Sequence, residues 1–281
     1  MIFPGRNSFG RRFRQNRAAL WAGRCLIGIV IIVMCAPMLV SDQPDAINLD
    51  HIFGSPTLAH VFGTDELGRD VLSRLLYGGQ ISLFIGIMAT TVALIIGTCV
   101  GMTAGYFEGI IDILFMRTVD MLMAIPAFFL LLLAVVIFGN QLSMVCLILG
   151  MTSWPPVARL VRASFISFRN REFVLALRAM GVSDYSIMVR HILPNVLDTI
   201  FIAAAVGAGQ AILAESALSF LGLGIQPPTP TWGNMLQNAQ LYIFEAPYLA
   251  VIPGSMIFIT VYSLHLISEG LRDAMDVKLT Q

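Results

Sequence analysis

Charge is scarce in this chain: only 12% of its 281 residues are Asp, Glu, Lys or Arg. A soluble domain carries roughly a quarter, so a protein immersed in water over its whole surface is excluded. Lysine is almost missing, Lys278 being the single instance. A P-loop needs GxxxxGK[ST], whose lysine reaches the terminal phosphates of a nucleotide. No glycine-rich loop precedes Lys278, so the chain does not hydrolyse ATP by that route. Cys25, Cys35, Cys99 and Cys146 sit in apolar runs without a CxxC pair. That pattern fits small buried hydrophobes and neither a disulfide framework nor a zinc site. His51, His60, His191 and His265 are scattered, and neither HExxH nor GxSxG occurs. No catalytic residue and no metal ligand is nominated. Asp112 and Asp120 flank one apolar run but lack a GxGD-type setting for an intramembrane protease. Formal net charge is zero, so no overall field draws nucleic acid.

What the chain has instead is apolar length: 57% hydrophobic residues and a mean hydropathy of +0.81. Six runs approach the roughly 20 residues that cross a bilayer as a helix. They are Trp21–Val40, Ile81–Ala104, Thr118–Phe138, Leu142–Ala158, Val196–Leu218 and Tyr248–Ser268. Trp154-Pro155-Pro156 interrupts the fourth, which is tolerable where neighbours re-satisfy the freed backbone groups. The fold class expected is an all-α polytopic membrane protein with six spans. The basic start, apolar run and Cys35 also fit a cleaved signal. Met34 is too large for the usual cleavage site and the run continues to Val40, so an uncleaved anchor is expected.

Cation placement sets the orientation. Arg6, Arg11, Arg12, Arg14, Arg17 and Arg24 precede or open the first span, and Arg117 lies between the second and third. Arg159, Arg162, Arg169, Arg171, Arg178 and Arg190 lie between the fourth and fifth, and Arg272 and Lys278 follow the sixth. Only Arg69 and Arg74 fall on the other side, so both termini are expected in the cytoplasm. Residues 1–20 then form a basic cytoplasmic start, 21–40 the first span and 41–80 an extracytoplasmic segment. Residues 81–270 are a transmembrane core and 271–281 a cytoplasmic tail. The outward segments 41–80, rich in Asp, and 222–247, rich in Pro, read as ordered loops able to meet something outside.

Residues 159–195 are too long for a turn between spans. Helical spacing of Phe165, Phe168, Phe173, Leu177 and Met180 predicts a helix over Phe165–Met180. Gly181 ends it in a left-handed C′ position, and Ser183 or Asp184 caps a second helix, Tyr185–Ile192, that Pro194 closes. Apolar anchors rimmed by arginines suit docking into a partner's groove. Polar groups within spans are costly and often functional; Gln210 and Glu215, in the fifth run, are therefore candidates for a translocation path. Small residues such as Ala203, Gly207 and Gly209 keep that helix slim for close packing.

The stretch Ala176-Leu177-Arg178-Ala179-Met180-Gly181, with His191-Ile192-Leu193-Pro194-Asn195, resembles the EAA loop of binding-protein-dependent ABC importer permeases. Gly63-Thr64-Asp65-Glu66-Leu67-Gly68-Arg69-Asp70 through Arg74 resembles a segment of the dipeptide, oligopeptide and nickel permeases. Ser219-Phe220-Leu221-Gly222-Leu223-Gly224, Pro227-Pro228, Trp232-Gly233 and Gly270-Leu271-Arg272-Asp273 with Asp276 extend that likeness over nearly the whole chain. The resemblance implies a type I ABC importer permease fold in a bacterial inner membrane, and a coupling helix seated on an ATPase. Its implied ATPase-coupling residues are Glu172, Ala176, Arg178, Gly181, Asp184, Arg190 and Pro194. Implied partners are a second homologous permease, two ABC ATPase subunits that hold ATP and Mg, and an extracytoplasmic solute-binding protein. The cargo implied is a peptide, or nickel or a metal chelate. Leu175 stands where the loop's glutamate belongs, so that residue's salt bridge does not carry over; Glu172, one turn earlier, is the candidate substitute. Leu76-Tyr77-Gly78-Gly79-Gln80 looks like an LSGGQ-type ATPase signature, but without a P-loop it is a coincidence. The reading from a different class is a stand-alone channel or secondary transporter.

Overall fold

A computed structural model describes residues 16–40 and 43–275. Arg6, Arg11, Arg12, Arg14, Asp42, Asp276 and Lys278 lie outside the described residues. Ten helices carry the fold among those described: α1 (Arg17–Met34), α2 (Ala36–Leu39), α3 (Val71–Phe107), α4 (Gly109–Ala124), α5 (Ala127–Phe138), α6 (Leu142–Arg169), α7 (Glu172–Ala179), α8 (Asp184–Phe220), α9 (Trp232–Ala239) and α10 (Tyr248–Met275). Five of them, α1, α3, α6, α8 and α10, are long and apolar enough to cross a membrane. No strand forms among the described residues.

The third expected span is not one straight helix. Thr118–Phe138 is divided between α4 and α5, which bend by 87° around Ile125-Pro126. Pro126 disfavours helical backbone at Ile125, and Ile125 is extended, with ψ 127°. A reader counting apolar residues sees one run because the bend lies inside it. The other apolar runs fall on helices, several longer than hydropathy alone marks, although the first helix ends at Met34, short of the expected Val40. α6 passes through Pro155 and Pro156 without a break and continues to Arg169.

Glycine decides where helices touch. A Cβ at Gly101 of α3 would sit 2.5 Å from the Ala158 carbonyl oxygen of α6, and one at Gly105 would sit 2.7 Å from that of Arg162. Backbones in such direct contact gain dispersion along the whole crossing, the way membrane helices pack without help from water. α8 lies against both α3 and α10, and α10 against α1. The Asn16 side chain closes the bundle end by donating to Asp273 Oδ2 at 2.9 Å.

The LSGGQ-like stretch is ordinary helix in α3. Gly79 packs on Val33 and Trp232, and Gln80 Nε2 donates to the Val33 carbonyl at 2.9 Å.

At the end of the bundle near the start of α3, residues 43–70 are tied down by charge. Arg69 Nε meets Asp65 Oδ2 at 2.7 Å and Arg69 Nη2 meets Glu66 Oε1 at 2.7 Å. Arg74, 2% exposed, lies 3.5 Å from Asp65. Asp70 caps α3 by accepting from Ser73 N at 2.7 Å and also lies 3.0 Å from His60 Nδ1. Asn238 Nδ2 donates to Glu66, and Tyr248 Oη to the Thr64 carbonyl. The GTDELGRD stretch is thus an internal brace: Thr64, Asp65, Arg69 and Asp70 are all buried. The preceding residues expose a mixed surface, apolar Ile47, Leu49 and Leu58 beside polar Asp45, Asn48 and Asp50.

Candidate functional site

At the opposite end of the bundle the connector folds into an elbow with its own small core. Val174, Ile187, Met188 and Ile192 are buried against Val161 and Phe165 of α6 and Tyr106 of α3. The helix expected over Phe165–Met180 is two helices, because α6 ends at Arg169 and Asn170 turns the chain before α7 begins at Glu172. Gly181 sits where expected: its φ is +75°, with Val182 N donating to the Leu177 carbonyl at 3.1 Å and Gly181 N to Arg178 at 3.0 Å. Those two bonds form the Schellman pattern that closes a helix.

Pro194 does not close the second helix. Ile187–Ile192 is a π turn, and α8 runs on through Pro194 to Phe220. A proline has no N–H to donate, and the wider turn just before it re-registers the backbone bonds so that the helix continues. Elbow and span are therefore one rod. Ser183 begins that helix without a side-chain cap.

Asp184 is engaged elsewhere: Tyr106 Oη donates to its Oδ1 at 2.5 Å. Arg178 Nε donates to Tyr106 Oη at 3.4 Å, and its guanidinium lies 4.8 Å from the Tyr106 ring centroid. Arg169 Nη1 donates to the Tyr106 carbonyl at 3.1 Å and Nη2 pairs with Glu108 at 2.7 Å. Arg178 and Asp184 are brought together on Tyr106, a residue sequence reasoning missed. An aromatic at the end of an apolar run carries no signal of its own.

Glu172, Ala176, Arg190 and Pro194 are exposed, and no side-chain bond within the chain occupies Glu172 or Arg190 among the described residues. Around them stand exposed apolar side chains: Phe173, Leu175, Met180 and Tyr185. A Cβ at Gly181 would meet nothing within 4 Å, so a substitution there is limited by backbone conformation and by whatever docks, not by crowding inside the chain.

The aspartates considered for protease chemistry are both ion-paired. Arg162 grips Asp112 in two bonds of 2.5 Å, and Arg159 meets Asp120 at 2.7 Å. They fasten α4 to α6. No group of three or more His, Cys, Asp and Glu is placed to hold a metal among the described residues.

Gln210 and Glu215 are not brought together. Glu215 is fully buried, accepts from Ser219 Oγ at 2.7 Å and faces the closed packing beneath α9. Gln210 is exposed on a cavity of about 230 Å³ between α3, α6 and α8.

A helical bundle with a slim central helix, a cavity carrying a few polar side chains and a folded elbow at one end fits a membrane permease subunit. The chain belongs to the family of binding-protein-dependent transport system inner membrane components, whose model matches residues 97–280. Residues 7–56 match the N-terminal TM domain of oligopeptide transport permease C. It is a multi-pass inner-membrane protein. The chain is 38% identical over 278 residues to the dipeptide transport system permease protein DppC of Alkalihalophilus pseudofirmus, covering 99% of this chain and 91% of that protein. It is 39% identical over 274 residues to the glutathione transport system permease protein GsiD of Escherichia coli O6:K15:H31, covering 97% and 90%. A chain of the MetNI methionine ABC transporter, in an inward-facing crystal form, shares the fold with a TM-score of 0.59 at 18% identity. That match covers 72% of this chain and 96% of the other.

Proposed function

We propose that this chain is one of two related permease subunits of an ABC importer, carrying a di- or oligopeptide, or nickel or a metal chelate, across the bacterial cytoplasmic membrane. The observation that carries the coupling role is the elbow. It is folded on its own core, rigidly continuous with α8, and presents Phe173, Leu175, Met180 and Tyr185 beside uncommitted Glu172 and Arg190. Exposed apolar anchors with charged neighbours suit a groove in a partner, here one of two cytoplasmic ATPase subunits that bind ATP and Mg. Glu172 stands in for the missing loop glutamate at Leu175. Closure of the ATPase pair pushes on α7, and the π-linked rod transmits the push into α8. ATP favours one transport state only through differential contacts with the two states.

In this reading α4 and α5 count as one broken span, giving six, with both termini and the elbow in the cytoplasm. The arginines clustered at the elbow end support that orientation. Residues 21–40 form the first span, 81–270 the core with coupling loop 159–195, and 1–20 and 271–281 the cytoplasmic ends. The opposite face, with Leu58, Leu241 and Phe244 exposed, receives the solute-binding protein. The names of the relatives, a dipeptide and a glutathione permease, favour a short peptide over nickel.

The test is uptake of labelled dipeptide into vesicles holding this chain, its permease partner, the ATPases and the binding protein. Uptake requires enclosed ATP and both ATPase subunits. Uptake that persists without them would instead make the chain a channel or secondary transporter.

A further inference from the structure

The cavity between α3, α6 and α8 carries chemistry that neither the elbow nor the family likeness assigns. Small residues give it room, among them Ala93 of α3 and Ala203 and Gly207 of α8. Four polar side chains line it: Thr90, Ser153, Gln210 and Arg272. Thr90 is 7% exposed and its Oγ1 is buried without a hydrogen-bond partner. A buried hydroxyl left unpaired is costly, and such groups in native proteins call for an explanation. Among the described residues no hydrogen bond or ion pair occupies Ser153, Gln210 or Arg272 either. The remaining lining residues are apolar: among the described residues no Asp, Glu, His, Cys or Met lines the cavity.

We infer that this cavity is a binding site on the cargo's path for a short peptide with a free carboxylate. Thr90, Ser153 and Gln210 hydrogen-bond the peptide's amides, and Arg272 takes the carboxylate. The assignment rests on the importer reading and narrows its cargo. Hydroxyl and amide groups donate to and accept from a peptide unit equally well. Arginine, always charged, grips a carboxylate with two parallel N–H donors. A divalent cation finds none of the carboxylate, imidazole or sulfur ligands it needs, and Arg272 repels it. Gln210 thus belongs to the path, whereas Glu215, which lines none of this cavity, does not.

The test uses the full complex without its binding protein, with the four native cysteines of this chain replaced. Val206→Cys, and separately Leu160→Cys, places a thiol on the cavity wall for labelling by a small maleimide. Dialanine at millimolar concentration is expected to slow labelling at both positions, whereas dialanine amide and nickel(II) ion alone leave the rate unchanged. Adding Arg272→Gln weakens protection about tenfold, as loss of a charge-assisted hydrogen bond should, and Arg272→Lys restores most of it. Protection by the amide as strong as by the acid, protection by nickel ion, or none by dialanine at either cysteine overturns the assignment. ATP-driven uptake by the same complex with its binding protein is measured in parallel. Its absence while protection persists would sink the importer reading alone.

Discussion

Tyr106, near the end of α3, donates a 2.5 Å hydrogen bond to Asp184, the first residue of α8, across 78 residues of sequence. Arg178 of α7 covers the same ring at 4.8 Å. One phenol thus joins both arms of the elbow to α3. Tyr106→Phe keeps the ring and its packing but removes the bond, which is worth about 1.5–3 kcal/mol when a charged partner is involved. The expected outcome is normal membrane levels and ATP hydrolysis, with several-fold less dipeptide imported per ATP. Tyr106→Phe import equal to wild type would show that the hydroxyl has no part in coupling.

Gly181 tests backbone against bulk. At φ +75° an L-residue with a Cβ costs roughly 1–2 kcal/mol, and asparagine costs less because it visits this region more readily. Gly181→Asn is therefore expected to stay close to wild type in thermal stability, below which Gly181→Ala falls by about 1 kcal/mol. Gly181→Asp should remain in the membrane yet lose uptake, because the open space at this position faces the docking partner and not the chain's own packing. Normal uptake by Gly181→Asp would remove Gly181 from the docking surface.

Asp65 anchors two buried arginines, Arg69 and Arg74. Removing one partner of a buried ion pair costs about 3–5 kcal/mol, so Asp65→Ala should unfold the outer cap and raise protease cleavage within 43–70. Asp120→Ala breaks an exposed pair and should cost less than about 1 kcal/mol. A protease time course on both variants distinguishes them.

Glu215 supports packing beneath α9. Glu215→Gln still accepts from Ser219 and should import at near the wild-type rate. Glu215→Leu leaves that hydroxyl unpaired in a closed site, at a cost of about 1–3 kcal/mol, and should lower the melting temperature in detergent. A Glu215→Gln variant that folds but fails to transport would put this carboxylate on the path after all.

Gly101→Val should be the most damaging single change. Its side chain would enter the Ala158 carbonyl and the Val161 side chain of α6, and two packed backbones cannot separate without losing contacts along the crossing. Membrane levels of this variant, measured by immunoblot, should fall well below those of Gly28→Val, where a Cβ meets nothing within 4 Å.

Much of this was legible in advance because membrane helices advertise themselves by length and hydropathy. The spans near Trp21, Ile81, Leu142, Val196 and Tyr248 emerged as helices, and Gly181 emerged as a left-handed stop because only glycine adopts that conformation at little cost. The bend at Ile125-Pro126 was hidden inside a continuous apolar run. Pro194 misled because its effect depends on the π turn before it, and a π turn has no composition of its own. In the GTDELGRD segment Asp65 and Glu66 pair with Arg69, an internal use of charge that sequence order alone does not display. Tyr106 and the Thr90 cavity were invisible because each is made by helices distant in sequence.

The coupling claim is tested most directly by cross-linking at Tyr185, which is 74% exposed on the elbow. In a cysteine-free background Tyr185→Cys is paired with a cysteine in the ATPase groove, and Leu58→Cys, fully exposed at the other end of the bundle, serves as the control. The account predicts a one-to-one adduct with the ATPase from position 185, changing in yield when ATP is added, and none from position 58. No adduct at 185, or an adduct at 58, would contradict it.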